Sequence, residues 1–312
     1  MPLTRYLRPR LFDPLGIGHV GWHTFPPGRE QGFSGLHART EDVAKLGLLY
    51  LQQGRWEGAR LLPKEWVAEA TSVQVSNPEN AGPDWRQGYG FQFWMSRHGY
   101  RGDGAFGQFC VILPEQDAVI VTTACALDMQ AMLDAMWTHL LPGLGTASPG
   151  TASAHDRLSA RLARLELPAS PGAPAPGDWG PWTSGPFTVT STAETQARLF
   201  LPSAETFLTS IEVAPRTGGW QISLTEPGNA LTFPAGTGGW TVSDRADRHG
   251  DTIPVAASGG WLDDQTLRAE VIFLETPHRM DIACHLPDRT ADAVWRHPPL
   301  SPGGLQELHC SS

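Results

Sequence analysis

The chain has 312 residues, 40% of them hydrophobic, and a formal net charge of -9 from 32 acidic and 23 basic side chains. That length can bury more than one core, and a prior of about 150 residues per domain gives two domains. The acidic balance repels phosphate backbones and anionic membrane surfaces, which speaks against nucleic acid as a partner.

No apolar run reaches the roughly 20 residues of a membrane span, so no spanning helix is expected. Met1 to Gly16 scatters arginines among its apolar residues, unlike a signal peptide. Any signal peptide would lie upstream of Met1, and the default localisation is cytoplasmic. Cys110, Cys125, Cys284 and Cys310 are far apart with no Cys-x-x-Cys pair. This pattern signals neither a zinc knuckle nor a disulfide framework, and no metal or cofactor is expected.

In chain order, Thr40 is a candidate cap for a helix with Glu41 and Asp42 in its first turn and Val43, Leu46, Leu49 and Tyr50 on its apolar face, stopping at Gly54. Pro63 at a first helical position, with Trp66, Val67 and Ala70 behind it, predicts a second helix. Tyr89 to Trp94 is aromatic and β-prone. Gly107 to Leu113 and Ala118 to Ala124 are apolar runs split by Pro114-Glu115-Gln116-Asp117, which predicts a hairpin with a further strand before it. Asp128 opens a helix whose Met129, Met132, Leu133, Met136, Trp137 and Leu140 read as core packing, ending at Pro142-Gly143.

From Pro142 to Ser153 and from Pro168 to Gly185 the composition is that of linkers. Between them Leu158, Leu162 and Leu165 mark one short amphipathic helix that docks on a neighbouring domain. Beyond Pro186 the text is strands and turns. Gly-Gly-Trp recurs at 218–220, 238–240 and 259–261, each read as a glycine turn feeding a strand that starts with an inward Trp. Trp220, Ile222 and Leu224 share one face, as do Leu267, Ala269, Val271 and Phe273, which predicts an antiparallel barrel or sandwich. A sugar-binding Trp surface is the alternative to core Trp. The expected organisation is residues 1–142, an α+β domain of helices on an antiparallel sheet; 143–185, a linker with one helix; and 186–312, an all-β domain.

Phe12-Asp13-Pro14-Leu15-Gly16, Gly35-Leu36 with Thr40 to Ala44, Gly54-Arg55-Trp56-Glu57-Gly58 running into Leu61 to Val67, Tyr89 to Trp94, and Gly104 to Gln108 with Pro114 to Asp117 follow one another in order. These segments resemble the later part of the beta-lactamase-related serine hydrolases, the family of class C beta-lactamases, penicillin-binding proteins and related esterases and aminopeptidases. The resemblance covers roughly residues 3 to 142; residues 186 to 312 only loosely resemble the β tail of some members. It implies a partial beta-lactamase-like domain and, in the intact protein, cleavage of a small-molecule amide or ester through an acyl-serine. In that family a serine is activated by a lysine three residues on, because a hydroxyl is a poor nucleophile until a base takes its proton.

Neither lysine here follows a serine at that spacing: Lys45 is preceded by Asp42 and Lys64 by Leu61. No Tyr-x-Asn or Ser-x-Asn occurs either. The expectation is therefore a truncated or internally started member, inactive alone, with no catalytic residue of its own. A third family element, Lys or His-x-Gly on the strand edging the cleft, falls at Arg101 to Gly104, read either as Gly102-Asp103-Gly104 or as Arg101-Gly102-Asp103. The resemblance implies substrate binding by Gly102, Asp103, Gly104 and Ala105, with a backbone N–H at Gly104 or Ala105 completing an oxyanion hole. The competing reading is a plain turn leading into a strand, with Asp103 solvated.

Other candidates are weaker. His19 and His23 have a metal-friendly spacing, but Gly18, Gly21 and Pro26-Pro27 argue against the helix it needs. Ser34 reads as a loop residue. Cys284 and His285, adjacent in a strand, point to opposite faces and do not form a nucleophile pair. His37, Asp42 and Asp117 read as surface or capping groups. The rival functions are a non-catalytic ligand- or glycan-binding protein on a hydrolase-derived scaffold, and complementation by a separate chain that carries the Ser-x-x-Lys half.

Overall fold

The structure, a computed structural model, describes all residues except 27, 146–150, 193–207, 298, 300–303 and 311–312. Part of the first predicted linker therefore lies outside the described residues. The contacts divide the chain into two units, Met1–Ala152 with Cys310–Ser312, and Ser153–His309.

The first unit opens with α1 (Leu3–Leu7), prolonged by a π turn over Arg8–Phe12, and a short ribbon of β1 (Val20–Trp22) and β2 (Leu36–Ala38). Then come α2 (Thr40–Leu51), the two-residue strands β3 (Arg55–Trp56) and β4 (Ala59–Arg60), and α3 (Lys64–Ala70). A four-stranded antiparallel sheet follows, β5 (Trp94–Met95), β6 (Tyr100–Gly104), β7 (Gln108–Leu113) and β8 (Ala118–Thr122) in that spatial order, and then α4 (Met129–Ala135), prolonged by a π turn over Met136–Leu140. Thr40 is the first helical residue of α2 rather than its cap, which is Arg39. Pro63 likewise caps α3 instead of entering it. Asp128 does cap α4, its Oδ1 accepting from the Ala131 N–H at 2.9 Å.

β7 carries apolar side chains on both faces and is buried almost throughout. On one face Phe109, Val111 and Leu113 pack against Leu133, Met136 and Trp137. On the other, Cys110 and Ile112 join Phe93 and Tyr100, with Val43 and Tyr50 of α2 laid over them. Gly47 makes that second contact close: a Cβ there would stand 2.7 Å from both Cys110 Sγ and Val119 Cγ1. The helix thus gives up about 1 kcal/mol of propensity at Gly47 and in return sits tight on the sheet.

The second unit begins with α5 (Ala152–Leu162), in which no residue is buried, so its leucines make no core contact. α6 (Gly180–Thr183) and nine strands follow: β9 (Phe187–Thr192), β10 (Ser210–Arg216), β11 (Gly219–Glu226), β12 (Asn229–Ala235), β13 (Thr241–Ala246), β14 (Thr252–Trp261), β15 (Thr266–Phe273), β16 (His278–His285) and β17 (Thr290–His297). They form one sheet in the order β12-β11-β10-β9-β17-β16-β15-β14-β13. All neighbours run antiparallel except β9 and β17, which are parallel, so the sheet is mixed rather than the expected all-antiparallel one. The reason is topological: the first and last strands meet side by side at its centre.

Gly236, just past β12, accepts the Gly259 N–H at 2.8 Å and donates to Ala257 O at 3.1 Å. This bridge brings the sheet nearly to closure, with β13 left outside it. Strict alternation on β11 and β16 turns Trp220, Ile222, Leu224, Met280, Ile282 and Cys284 inward. Each large side chain so buried contributes about 1.5–3 kcal/mol.

Of the three Gly-Gly-Trp motifs, the first behaves as expected, with Trp220 at the start of β11 and 1% exposed; the second precedes β13, but Trp240 stays outside the strand, half-buried, its Nε1 donating to Leu167 O at 2.8 Å. In the third the order is reversed, since Gly259-Gly260-Trp261 ends β14. Its glycines serve close approach instead, since a Cβ on Gly260 would lie 2.6 Å from Ala173 O. Ala173 and Trp261 exchange two backbone hydrogen bonds, 2.8 and 3.1 Å. The Pro- and Gly-rich segment that reads as linker is thus strapped to the barrel, and Trp179 and Trp182 behind it stack edge-on against Trp261.

Candidate functional site

The candidate site is the far half of β6. β5 pairs with Tyr100 and Arg101 alone, whereas β7 pairs with all five residues of β6. Gly102, Asp103 and Gly104 therefore form an open margin, with strand pairing on the β7 side only among the described residues. Gly102 and Gly104 share the face that holds Cys110, and a Cβ on Gly104 would press on Gln108 Cβ at 3.0 Å. Ala105 starts the turn Ala105–Gly107, in which Phe106 is left-handed at φ 62°. That turn is held from below: Phe106 O accepts the Ala126 N–H at 3.0 Å, and Gly107 O accepts the Thr122 hydroxyl at 2.7 Å.

Behind the margin lies a buried ionic cluster that the sequence did not announce. Arg101 is fully buried, its guanidinium 4.5 Å from the Trp85 ring centroid. Its Nη1 donates to Asp84 O (3.1 Å), Met95 O (3.3 Å) and Ser96 Oγ (2.5 Å), while Nε donates to Asp103 Oδ2 at 3.0 Å. Burial pulls the Arg101 pKa down against the Asp103 charge. The same burial raises Asp103 more than Arg101 lowers it. Asp103 is not solvated, and Gly102 to Gly104 is strand, not a turn leading into one. The Arg101 side chain is fully buried and faces Asp84, Ser96 and Asp103.

Asp84 is the second centre. Its carboxylate accepts from Arg97 N (2.9 Å), Arg97 Nη2 (2.8 Å), Gln130 Nε2 (2.7 Å) and Trp137 Nε1 (3.1 Å). Burial alone would raise this carboxyl, but these donors outweigh it and hold the pKa at about 2. Arg97 also pairs with Asp134. Four segments of sequence, 84–85, 95–97, 101–103 and 130–137, meet in these two centres, and only the fold brings them together.

No described serine hydroxyl bonds a lysine or tyrosine. Lys45 Nζ donates to Asp42 Oδ1 (2.7 Å) and Gly16 O (2.8 Å), so Asp42 is a buried ion-pair partner and not a surface group. Lys64 is exposed at the start of α3. Tyr89 donates to Gln92 Oε1 at 3.3 Å, and Tyr100, pushed up to about 12 by burial, bonds Thr71. Ser34 lies exposed in a loop. His19 and His23 flank the extended β1, where residues four apart are about 13 Å apart. His37 is half-buried on β2 and Asp117 exposed in the hairpin turn. Cys284 points into the barrel, its thiol pushed up to about 12 by burial, while His285 points out to Asp292 at 3.2 Å. No group of three or more His, Cys, Asp or Glu side chains among the described residues is placed to hold a metal, and no described helix is long and apolar enough to cross a membrane.

Comparison with curated protein sequences gives no match. Among solved structures, a protein from Bacillus anthracis described as a 6-aminohexanoate-dimer hydrolase is 24% identical over 47% of this chain and 40% of its own, with a TM-score of 0.39. The octameric penicillin-binding protein homologue from Pyrococcus abyssi is 13% identical over 95% of this chain and 59% of its own, with a TM-score of 0.28. This chain therefore spans about half the length of these structures. The Beta-lactamase family model matches residues 1–127, the stretch that carries α1 to β8 and the β6 margin. Over residues 1–127, then, this chain is similar to the Beta-lactamase family.

Proposed function

We propose that the first unit is the substrate-wall side of an acyl-serine hydrolase scaffold acting on small-molecule amides or esters. Gly102, Asp103, Gly104 and Ala105 form that wall. The open margin carries the reading: backbone groups facing away from β7 offer hydrogen bonds to an amide or ester laid beside them, and the glycines let it come close. A backbone N–H at the Ala105 turn faces the carbonyl oxygen on which charge develops. The second part of the proposal is that these 312 residues do not turn substrate over alone. Lys45 is committed to Asp42 and Gly16, and among the described residues no serine hydroxyl bonds a lysine or tyrosine. Turnover then requires a Ser-x-x-Lys pair from outside these residues, such as a complementing chain would bring.

The test is to incubate the chain with nitrocefin and p-nitrophenyl acetate, and to follow its backbone amides by NMR while benzylpenicillin is added. Rates at the blank level, with shifts confined to the neighbourhood of Gly102 to Ala105, support the reading. Saturable turnover by the chain alone overturns the second part, and shifts that avoid the β6 margin overturn the first.

A further inference from the structure

Something must keep the β6 margin from being covered by its own neighbour. β5 pairs Trp94 with Arg101 and Met95 with Tyr100. Continued in that register, Phe93 would lie against Gly102, Gln92 against Asp103 and Phe91 against Gly104. The chain instead reverses there. Gly90 N donates to Phe93 O at 2.7 Å and Tyr89 bridges Trp94, so Phe91 and Gln92 form a two-residue turn. Gln92 is left-handed at φ 62°, a conformation for which such turns favour glycine or asparagine.

We propose that Gln92 is a positioning residue: by holding this turn in its left-handed form it keeps β5 short and the Gly102–Gly104 margin open. The inference rests on the reading of that margin as a substrate wall. The surroundings pin the turn away from β6. Phe91 N donates to Ala70 O at 2.9 Å, and the Phe91 ring stacks on Trp66 with centroids 5.5 Å apart. Gly90 is wedged against α3, where a Cβ would stand 2.3 Å from Ala70 O and 2.8 Å from Ser72 O. The Tyr89 hydroxyl reaches Gln92 Oε1, which fixes the one residue whose backbone angle is costly.

The experiment is amide hydrogen exchange by NMR on the full, ligand-free chain, in wild type, Gln92→Val and Gln92→Gly. In the wild type, the Gly102–Gly104 amides that point away from β7 exchange about 100-fold faster than Val111 and Ile112. Valine disfavours a positive φ, so Gln92→Val relaxes the turn, β5 lengthens along β6, and those amides slow by about tenfold while β7 is unchanged. Gln92→Gly leaves them fast. A merely structural role for Gln92 predicts the opposite sign in the valine variant, faster exchange throughout the sheet. Margin amides as protected as β7 in the wild type, or unchanged or faster in Gln92→Val, overturn the proposal. Should Gln92→Val not fold, a wild-type cross-strand NOE between Phe93 and Gly102 overturns it, and its absence supports it. No ligand is involved, so the result stands apart from any outcome with nitrocefin or esters.

Discussion

At the scale of single residues, the buried charges dominate the energetics. Asp84 has a pKa of about 2, below the roughly 3.9 of an unfolded aspartate. Because its folded pKa is depressed, the stabilisation is fully present above about pH 5 and is lost as pH falls through 4 towards 2, a contribution of about 2–3 kcal/mol. Asp84→Asn is expected to lose about that much at pH 7 and to flatten stability against pH between 4 and 2, measured by urea unfolding at each pH. Arg101 and Asp103 form a buried pair, and removing one partner strands the other. Arg101→Met is expected to cost about 3–5 kcal/mol, and the double variant Arg101→Met/Asp103→Leu much less; equal losses would refute a coupled pair. None of this was legible in the sequence, where Asp84 sits in an ordinary Gly-Pro-Asp-Trp stretch and Arg101 looked like one end of a cleft motif. Partners 13 to 53 residues away in the chain decide the role of Asp84.

At the scale of elements, the periodic signals were reliable and the boundaries shifted. The β7–β8 hairpin, the α4 cap at Asp128 and the inward face of β15 follow from apolar period and turn chemistry alone. What local pattern could not reveal is where backbone meets backbone. Gly47 reads as a weak point in α2 until Cys110 and Val119 appear beneath it. Gly47→Ala should therefore destabilise by about 1–3 kcal/mol despite better helix propensity, and a denaturant midpoint above wild type would contradict the packing argument. The strap is the second such case, because composition marks Pro168 to Gly185 as linker while Gly260 gives it a seat on the barrel. Ala173→Pro removes the N–H that Trp261 O accepts. It should weaken the near-ultraviolet circular dichroism of the Trp179, Trp182, Trp220 and Trp261 cluster with the far-ultraviolet spectrum kept.

At the scale of the whole chain, the similarity of the first unit to the Beta-lactamase family and the all-β character of the second were foreseeable from ordered motifs and alternation, with barrel and sandwich both open. The parallel β9–β17 contact was not, since strand direction within a sheet leaves no trace in a period of two. On the function proposed above, the first unit offers a binding wall without a hydroxyl that can be acylated. Intact-mass spectrometry after incubation with a fluorophosphonate and with benzylpenicillin decides this. The unmodified mass is expected with both reagents, and a stoichiometric adduct localised to a serine within residues 1–127 would overturn the proposal.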